Sequence, residues 1–204
     1  DRPEIDWDAL TFSFTQTDRM YVAKCNIGEE WSPGSMRDFE DLRMSPAAGV
    51  INYGQGLFEG LKAQRAADGN VVLFRPDHNA RRSQDGARRL GMPPVPEEMF
   101  LDAVKQTVRE NIRWVPPMGK GALYVRPLLM GSGPILGVAP APEYTFLVFV
   151  SPVGPYFKGG ITPTSLRVSD EFHRAAPGGS GGVKAIGNYA PGMIPSKMAK
   201  KEGY

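Results

Sequence analysis

The stretch SGGVKAIGNYAPG, residues 180–192, places Lys184 among glycines and shortly before Tyr189. A lysine in that setting has three chemical options: to grip a phosphate as a cation, to solubilise a surface loop, or to form a covalent bond to a carbonyl through its amine. The covalent option needs help. With an ordinary pKa of about 10.4, fewer than roughly one lysine in a thousand is neutral at pH 7. Desolvation or a neighbouring cation shifts that balance, and glycine flanks let a bulky aromatic cofactor come close to the backbone. From composition alone the solvated surface lysine is the default, because lysine is rarely fully buried.

Other residues offer weaker chemistry. Tyr124 and Arg126 lie two apart in a β-rich run, so both side chains share one face. Two readings stand side by side: a pocket that receives an anion, or an edge strand with Arg126 in water. The arginines of 77–90 (Arg81, Arg82, Arg88, Arg89) read as a solvated helix face, and any one of them could fork onto a phosphate; the pattern does not choose which. GQGLFEG (54–60) misses the G-x-G-x-x-G spacing, since Glu59 stands where the third glycine belongs and a hairpin rather than a helix follows. It reads as a tight connection whose glycines let the backbone pass beneath Tyr53 and Phe58. GKG (119–121) lacks the frame of a P-loop, and His78 and His173 have no nucleophile motif beside them.

The bulk numbers narrow the field. The chain has 204 residues, 41% of them hydrophobic, enough for a core in one large or two modest domains. Lys+Arg 24 against Asp+Glu 22 leaves +2, which gives no electrostatic case for nucleic acid or an anionic membrane. Cys25 is the only cysteine, so no intramolecular disulfide can form, and with two distant histidines no zinc site is expected. The longest apolar run, FLVFV (146–150), falls far short of the roughly 20 residues of a membrane span, and residues 1–10 do not resemble a signal peptide. An intracellular, reducing setting and small or proteinaceous partners are expected.

The elements that must position these residues follow from periodicity and punctuation. LTFSF (10–14) and MYVAKC (20–25) alternate around a turn and predict a hairpin; LKAQRA (61–66) and VVLFR (71–75) predict another around Asp68-Gly69-Asn70. Residues 77–90 predict a helix with Asp77 near its N-cap and Gly91 past its end. A second helix opens at Pro96 and carries Phe100, Val104, Val108, Ile112 and Val115 on one face until Pro116-Pro117. ALYVRPLLM (122–130) and YTFLVFVSPV (144–153) predict strands, with Pro127 marking an edge or a bulge. TSLRVS (164–169) predicts a strand opening a second domain. The fold class is α+β, with a small N-terminal domain over 1–157, a linker over 158–163 and the beginning of a large domain over 164–204.

Several segments together resemble one family: NYGQGLFEGLKA (52–63), LFRP (73–76), residues 121–160 from GALYVRPLLM to GPYFKGG, and EFHRAAPGGSGGVKAIGNYA (171–190). They are similar to the branched-chain amino-acid aminotransferases, pyridoxal-phosphate enzymes of fold type IV, and in particular to the plant members. The resemblance implies that Lys184 is the catalytic lysine, bound to pyridoxal 5'-phosphate as a Schiff base and serving as general base. It makes Tyr189 the hydrogen-bond partner of the cofactor's phenolic oxygen and Arg82 the holder of its phosphate. Tyr53, Phe58, Tyr124 and Arg126 become substrate-pocket residues, the last two suited to the carboxylate of glutamate or 2-oxoglutarate. Leu136 and Val138 match a loop that reaches into a neighbouring subunit's pocket, which implies a homodimer. The implied reaction moves an amino group between leucine, isoleucine or valine and 2-oxoglutarate, in a plastid, with mitochondrion and cytoplasm as the other settings. Two alternatives remain: a silent fragment that serves dimerisation or interaction, or a fold type IV enzyme for D-amino acids, methionine-derived oxo acids or aminodeoxychorismate. The family's large domain continues past the position of Tyr204 and supplies the carboxylate facing the pyridine nitrogen, so the chain is expected to be truncated. Pro191 and Pro195 fall where the family runs a helix, which is expected to begin near Ser196 or to be distorted.

Overall fold

A computed structural model describes residues 5–155 and 163–204. Its backbone is organised around two long antiparallel strands, β6 (Ala122–Gly131) and β7 (Glu143–Val153), paired from Ala122↔Val153 to Gly131↔Tyr144. Around them the described residues form a seven-stranded sheet in the order β2-β1-β7-β6-β4-β5, with β3 also on β6. The strands are β1 (Arg19–Asn26), β2 (Ser35–Asp38), β3 (Gly56–Phe58), β4 (Leu61–Arg65) and β5 (Val71–Leu73). The β4–β5 hairpin forms as predicted, turning at Gly69 with φ +83° while Asp68 accepts hydrogen bonds from the Asn70 backbone and side chain.

Strand alternation divides the sheet into two faces. On one face Ala23, Cys25, Leu123, Val125, Leu129, Phe146 and Val148 bury against α2 (Pro76–Arg89) and α3 (Glu97–Glu110). The other face carries Met20, Val22, Met130 and Leu147, with Phe39, Leu128 and Phe149 packed against them. Helix α3 contributes Phe100, Val104 and Val108 to the core, as its periodicity predicts, with Phe100 stacked on Phe146 at 5.8 Å between ring centroids. It ends at Glu110, however, and the chain tightens into a 3-10 turn over Ile112–Trp114, so Ile112 leaves the buried face while Val115 stays inside. The thin stripe of α2 has a structural use: its buried residues are Ala80, Ser83, Gly86 and Ala87, small enough that a Cβ on Gly86 would lie 3.0 Å from Leu57. Asp77 lies near the N-cap, as expected, without being the cap itself. That position is Arg75, in the left-handed region with φ +47°, while Asp77 sits in the first turn, where its charge suits the helix dipole.

Four other expectations are corrected. Residues 10–14 do not pair with β1, whose partners are β7 and β2; they cross the sheet instead, laying Phe12 against Tyr124 (5.4 Å) and Phe14 against Phe39 and Phe149 (5.8 and 6.2 Å). β7 offers β1 the longer apolar partner. Pro127 lies inside a central strand, neither at an edge nor in a bulge of its own. Its carbonyl accepts from the Glu59 amide at 2.8 Å, so its missing N–H faces the same side, where β3 has ended and β4 has not begun. Residues 164–169 form no strand, and Leu166 and Val168 are exposed, because no described strand lies beside them. Both prolines of the last helix are accommodated: Pro191 opens a 3-10 turn, and Pro195 falls in the first turn of α4 (Met193–Lys201), where backbone N–H groups lack helical partners anyway. That helix therefore begins before Ser196. The linker expected at 158–163 falls almost entirely outside the described residues, as does the expected end of the small domain at 157.

Asn111 joins α3 to the sheet. Fully buried, it accepts from the amides of Asp18 and Arg19 (3.0 Å each) and donates to the carbonyls of Arg19 and Thr107 (2.9 and 2.8 Å). Asn111→Ala removes all four side-chain bonds from a buried site and is expected to cost about 2–4 kcal/mol of stability in urea unfolding; a loss below about 1 kcal/mol would show that the bonds contribute little.

Candidate active site

The site grows from a break in the sheet. β3 ends at Phe58 and β4 begins at Leu61, and the residues between alternate in direction. Phe58 is paired with Leu128 and so shares the face of Tyr124 and Arg126, away from α2 and α3. Glu59 is directed to the helix side, where it meets α2. Gly60 has no room for a side chain: a Cβ there would lie 2.1 Å from the Tyr124 hydroxyl. Two glycines of GQGLFEG thus serve close approach, Gly60 under Tyr124 and Gly56 against Ile186 and the Leu129 carbonyl, and neither lies under Tyr53.

Lys184 reaches this break from the glycine-rich segment. Its carbonyl accepts from the Phe58 amide at 3.2 Å, and the next residue, Ala185, forms a β-bridge with Leu57. The main chain of the lysine is therefore docked on the end of β3. Its side chain is half-buried, with Nζ 3.0 Å from the Tyr189 hydroxyl and 4.4 Å from the centre of the Phe58 ring. The Tyr189 ring packs on Phe58 at 4.9 Å, completing the aromatic support. Arg126 stacks on the same Phe58 ring at 4.5 Å and donates from Nη2 to the Tyr124 hydroxyl at 3.1 Å. Its Nε is buried without a hydrogen-bond partner among the described residues. A buried N–H left unpaired costs about 1–3 kcal/mol, which an incoming anion would relieve.

Of the four helix arginines, one differs in its surroundings. Arg81 pairs with Asp77 and Glu97, Arg88 with Asp85, and Arg89 donates to the Gly178 carbonyl. Arg82 alone meets a buried carboxylate, donating from Nε and Nη2 to the two oxygens of Glu59 at 2.7 and 2.6 Å. The Glu59 bond holds the guanidinium pKa above its ordinary value against the opposing effect of burial, so it stays cationic. Arg82 also borders an open cleft of about 610 Å³ lined by Phe74, Arg75, His78, Gly182 and Val183.

The structure thus gathers Phe58, Tyr124, Arg126, Lys184 and Tyr189, with Arg82 approaching through the break by way of Glu59. Tyr53 and Leu136 form a second group, in which the Tyr53 hydroxyl donates to the Leu136 carbonyl. Leu136 and Val138 stand out on their loop at 91% and 89% exposure. Sequence reasoning missed Glu59 and Asn188. Asn188 is buried and laces the glycine-rich segment, donating to the carbonyls of Ser180 and Val183 (2.8 Å each) and accepting from the Ser180 hydroxyl (2.7 Å). The available signal for Glu59 was a lone acid in an apolar, glycine-rich run, since a buried carboxylate demands a cation.

This arrangement of a lysine against a tyrosine and an aromatic ring, with two nearby guanidinium groups, suits covalent capture of an anionic carbonyl compound. No family model matches the chain. Curated relatives do. A chloroplastic branched-chain amino acid aminotransferase of Humulus lupulus is 59% identical over 201 residues, 98% of this chain and 49% of the relative. The mitochondrial branched-chain aminotransferase of the same plant is 53% identical, and a methionine aminotransferase of Arabidopsis thaliana 52% identical, each over 98% of this chain and 51% and 56% of the relative. Among solved structures, the branched-chain aminotransferase of the archaeon Thermoproteus uzoniensis with norvaline matches with a TM-score of 0.71 at 22% identity, covering 92% of this chain and 58% of that one. A T.th. branched-chain amino acid aminotransferase with pyridoxamine 5'-phosphate matches at 0.73, with 23% identity over 92% of this chain and 57% of that one. These structures establish the fold as that of fold type IV aminotransferases.

Asn188→Ala is expected to loosen the lysine segment selectively. The Phe58 amide, bonded to the Lys184 carbonyl, should exchange its hydrogen about tenfold faster while α3 amides keep their rates. Unchanged exchange at Phe58 would show that Asn188 does not hold the segment.

The chain spans about half the length of the curated relatives it matches, and along 98% of its own length it is similar to plant branched-chain aminotransferases.

Proposed function

We propose that this chain carries the lysine-bearing part of a pyridoxal-phosphate-dependent aminotransferase that exchanges amino groups between leucine, isoleucine or valine and 2-oxoglutarate. The observation that carries the reading is the placement of the Lys184 amine, 3.0 Å from the Tyr189 hydroxyl and against the Phe58 ring. The residues present fit the cofactor. Arg82 keeps its Nη1 edge free of protein partners among the described residues, and it borders the cleft beside Gly182 and Val183. When bound, pyridoxal phosphate supplies an aldehyde for an amine and an electron sink for a carbanion.

The chain's own residues supply the rest. Lys184 Nζ is the general base that removes the substrate Cα proton, and its docked main chain limits the arc the amine can sweep. With the cofactor bound, the Tyr189 hydroxyl would donate to its phenolate oxygen and Arg82 Nη1 to its phosphate. Arg126, with its unpaired Nε, orients the distal carboxylate of a dicarboxylate substrate, while Phe58 and Tyr124 present aromatic surface to aliphatic side chains. Exposed Leu136 and Val138 fit a loop that completes the pocket of a second copy, making the functional unit a homodimer. Tyr53 holds that loop through the Leu136 carbonyl. The chloroplastic and mitochondrial relatives support an organellar setting, a plastid foremost. A second reading keeps the chemistry and changes the substrate to methionine or its oxo acid, supported by the 52% identical methionine aminotransferase.

Borohydride reduction of the protein mixed with pyridoxal phosphate is expected to fix one cofactor mass on the peptide containing Lys184, and Lys184→Ala to abolish it. Adducts spread over surface lysines, or none, would leave the interaction-module reading in place. Arg82→Ala is expected to weaken cofactor retention. Arg126→Ala should lower kcat/KM for 2-oxoglutarate about tenfold more than for leucine; equal losses would remove its dicarboxylate role.

A further inference from the structure

Glu59 is the most deeply buried carboxylate near the site, with 1% of its side chain exposed, and no step of the proposed reaction uses it. Its oxygens are nonetheless fully occupied. Oε1 accepts from Arg82 Nε at 2.7 Å, and Oε2 from Arg82 Nη2 at 2.6 Å, from Asn79 Nδ2 at 2.8 Å and from the Gly60 amide at 3.4 Å. Asn79 and Arg82 lie three residues apart on the same α2, and both donate to Oε2. Arg82, by contrast, is 54% exposed. An unheld arginine at that exposure would sample many rotamers and lose that freedom on gripping an anion.

We propose that Glu59, backed by Asn79, is a positioning residue for phosphate recognition, clamping one edge of the Arg82 guanidinium so that the Nη1 edge is preset toward the cleft. The inference rests on the cofactor reading above. Only arginine can serve this way, because its fork offers one edge to a carboxylate and another to a phosphate, whereas a lysine is a point donor. The carboxylate's own charge opposes an incoming phosphate, but it is neutralised by Arg82 itself. The gain lies in the restricted rotamer.

The test separates the phosphate from the rest of the cofactor. Dissociation constants are measured for pyridoxal and for pyridoxal 5'-phosphate, and the first divided by the second is the contribution of the phosphate. Glu59→Gln, of like shape, is expected to reduce that ratio about tenfold while leaving pyridoxal binding within about twofold of wild type. Asn79→Ala, which removes one supporting bond from the surface, should reduce it about threefold, and Arg82→Lys should reduce it at least as much as Glu59→Gln. An unchanged or increased ratio in both Glu59→Gln and Asn79→Ala overturns the inference. So does equal weakening of both ligands, which would make Glu59 a purely structural residue. If wild-type protein captures neither compound, the cofactor reading itself fails; if it captures both and the ratio does not move, only the role of Glu59 fails.

Discussion

The hydrogen bond from the Phe58 amide to the Lys184 carbonyl, 3.2 Å long and reinforced by the Leu57–Ala185 bridge, joins two parts of the chain that are remote in sequence. Everything proposed for the site depends on it. A lysine side chain has four rotatable carbons and, on a free loop, no fixed position for its amine. Docked by its own backbone to the end of a strand, the amine is confined to a small volume beside Tyr189 and Phe58. The glycine-rich flank that makes the segment compliant would also let it drift, and Asn188 opposes that drift with three hydrogen bonds.

The second constraint is the break between β3 and β4. β3 and β4 keep one register on β6 on either side of Pro127, Phe58 facing Leu128 and Leu61 facing Val125, so strand alternation carries through and sends Phe58 and Glu59 to opposite faces. Phe58 on one face is an aromatic platform shared by Lys184 and Arg126. On the other face Glu59 draws Arg82 inward from α2. Cationic side chains thus gather on opposite faces of one short segment, and the small residues of α2 let the helix approach closely enough for the arginine to reach. Pro127 fits the same arrangement, since the donor it lacks is not needed where the neighbouring strand is interrupted.

How much of this was legible in the sequence varied with the range of the forces involved. The β4–β5 hairpin, α2, α3, β6 and β7 follow from local periodicity and from Gly69, Gly91 and the prolines, and they stand where predicted except that α3 ends early, at Glu110. The pairing of β1, the short β2 and β3, and the small helix α1 (Gly49–Tyr53) depend on partners far along the chain, so no local pattern announced them. The alternation of 10–14 and 164–169 misled for the same reason: apolar side chains at every second position fit a strand, but the sheet had a better partner for β1 and none described for 164–169. At the site, composition alone left Lys184 as a surface lysine and four arginines undivided. The family pattern separated them, and the geometry supplies physical grounds for the choice in the buried Glu59, which had read only as a misplaced glycine.

The central claim is that one amine, Lys184 Nζ, differs chemically from every other lysine because of where its backbone is docked. Trace acetylation of all lysines, quantified peptide by peptide with and without saturating pyridoxal phosphate, measures this most directly. The account predicts that the cofactor shields Lys184 strongly and leaves Lys24, Lys62, Lys105 and Lys197 at their unliganded reactivities. Uniform shielding across the lysines, or none at Lys184, would contradict it.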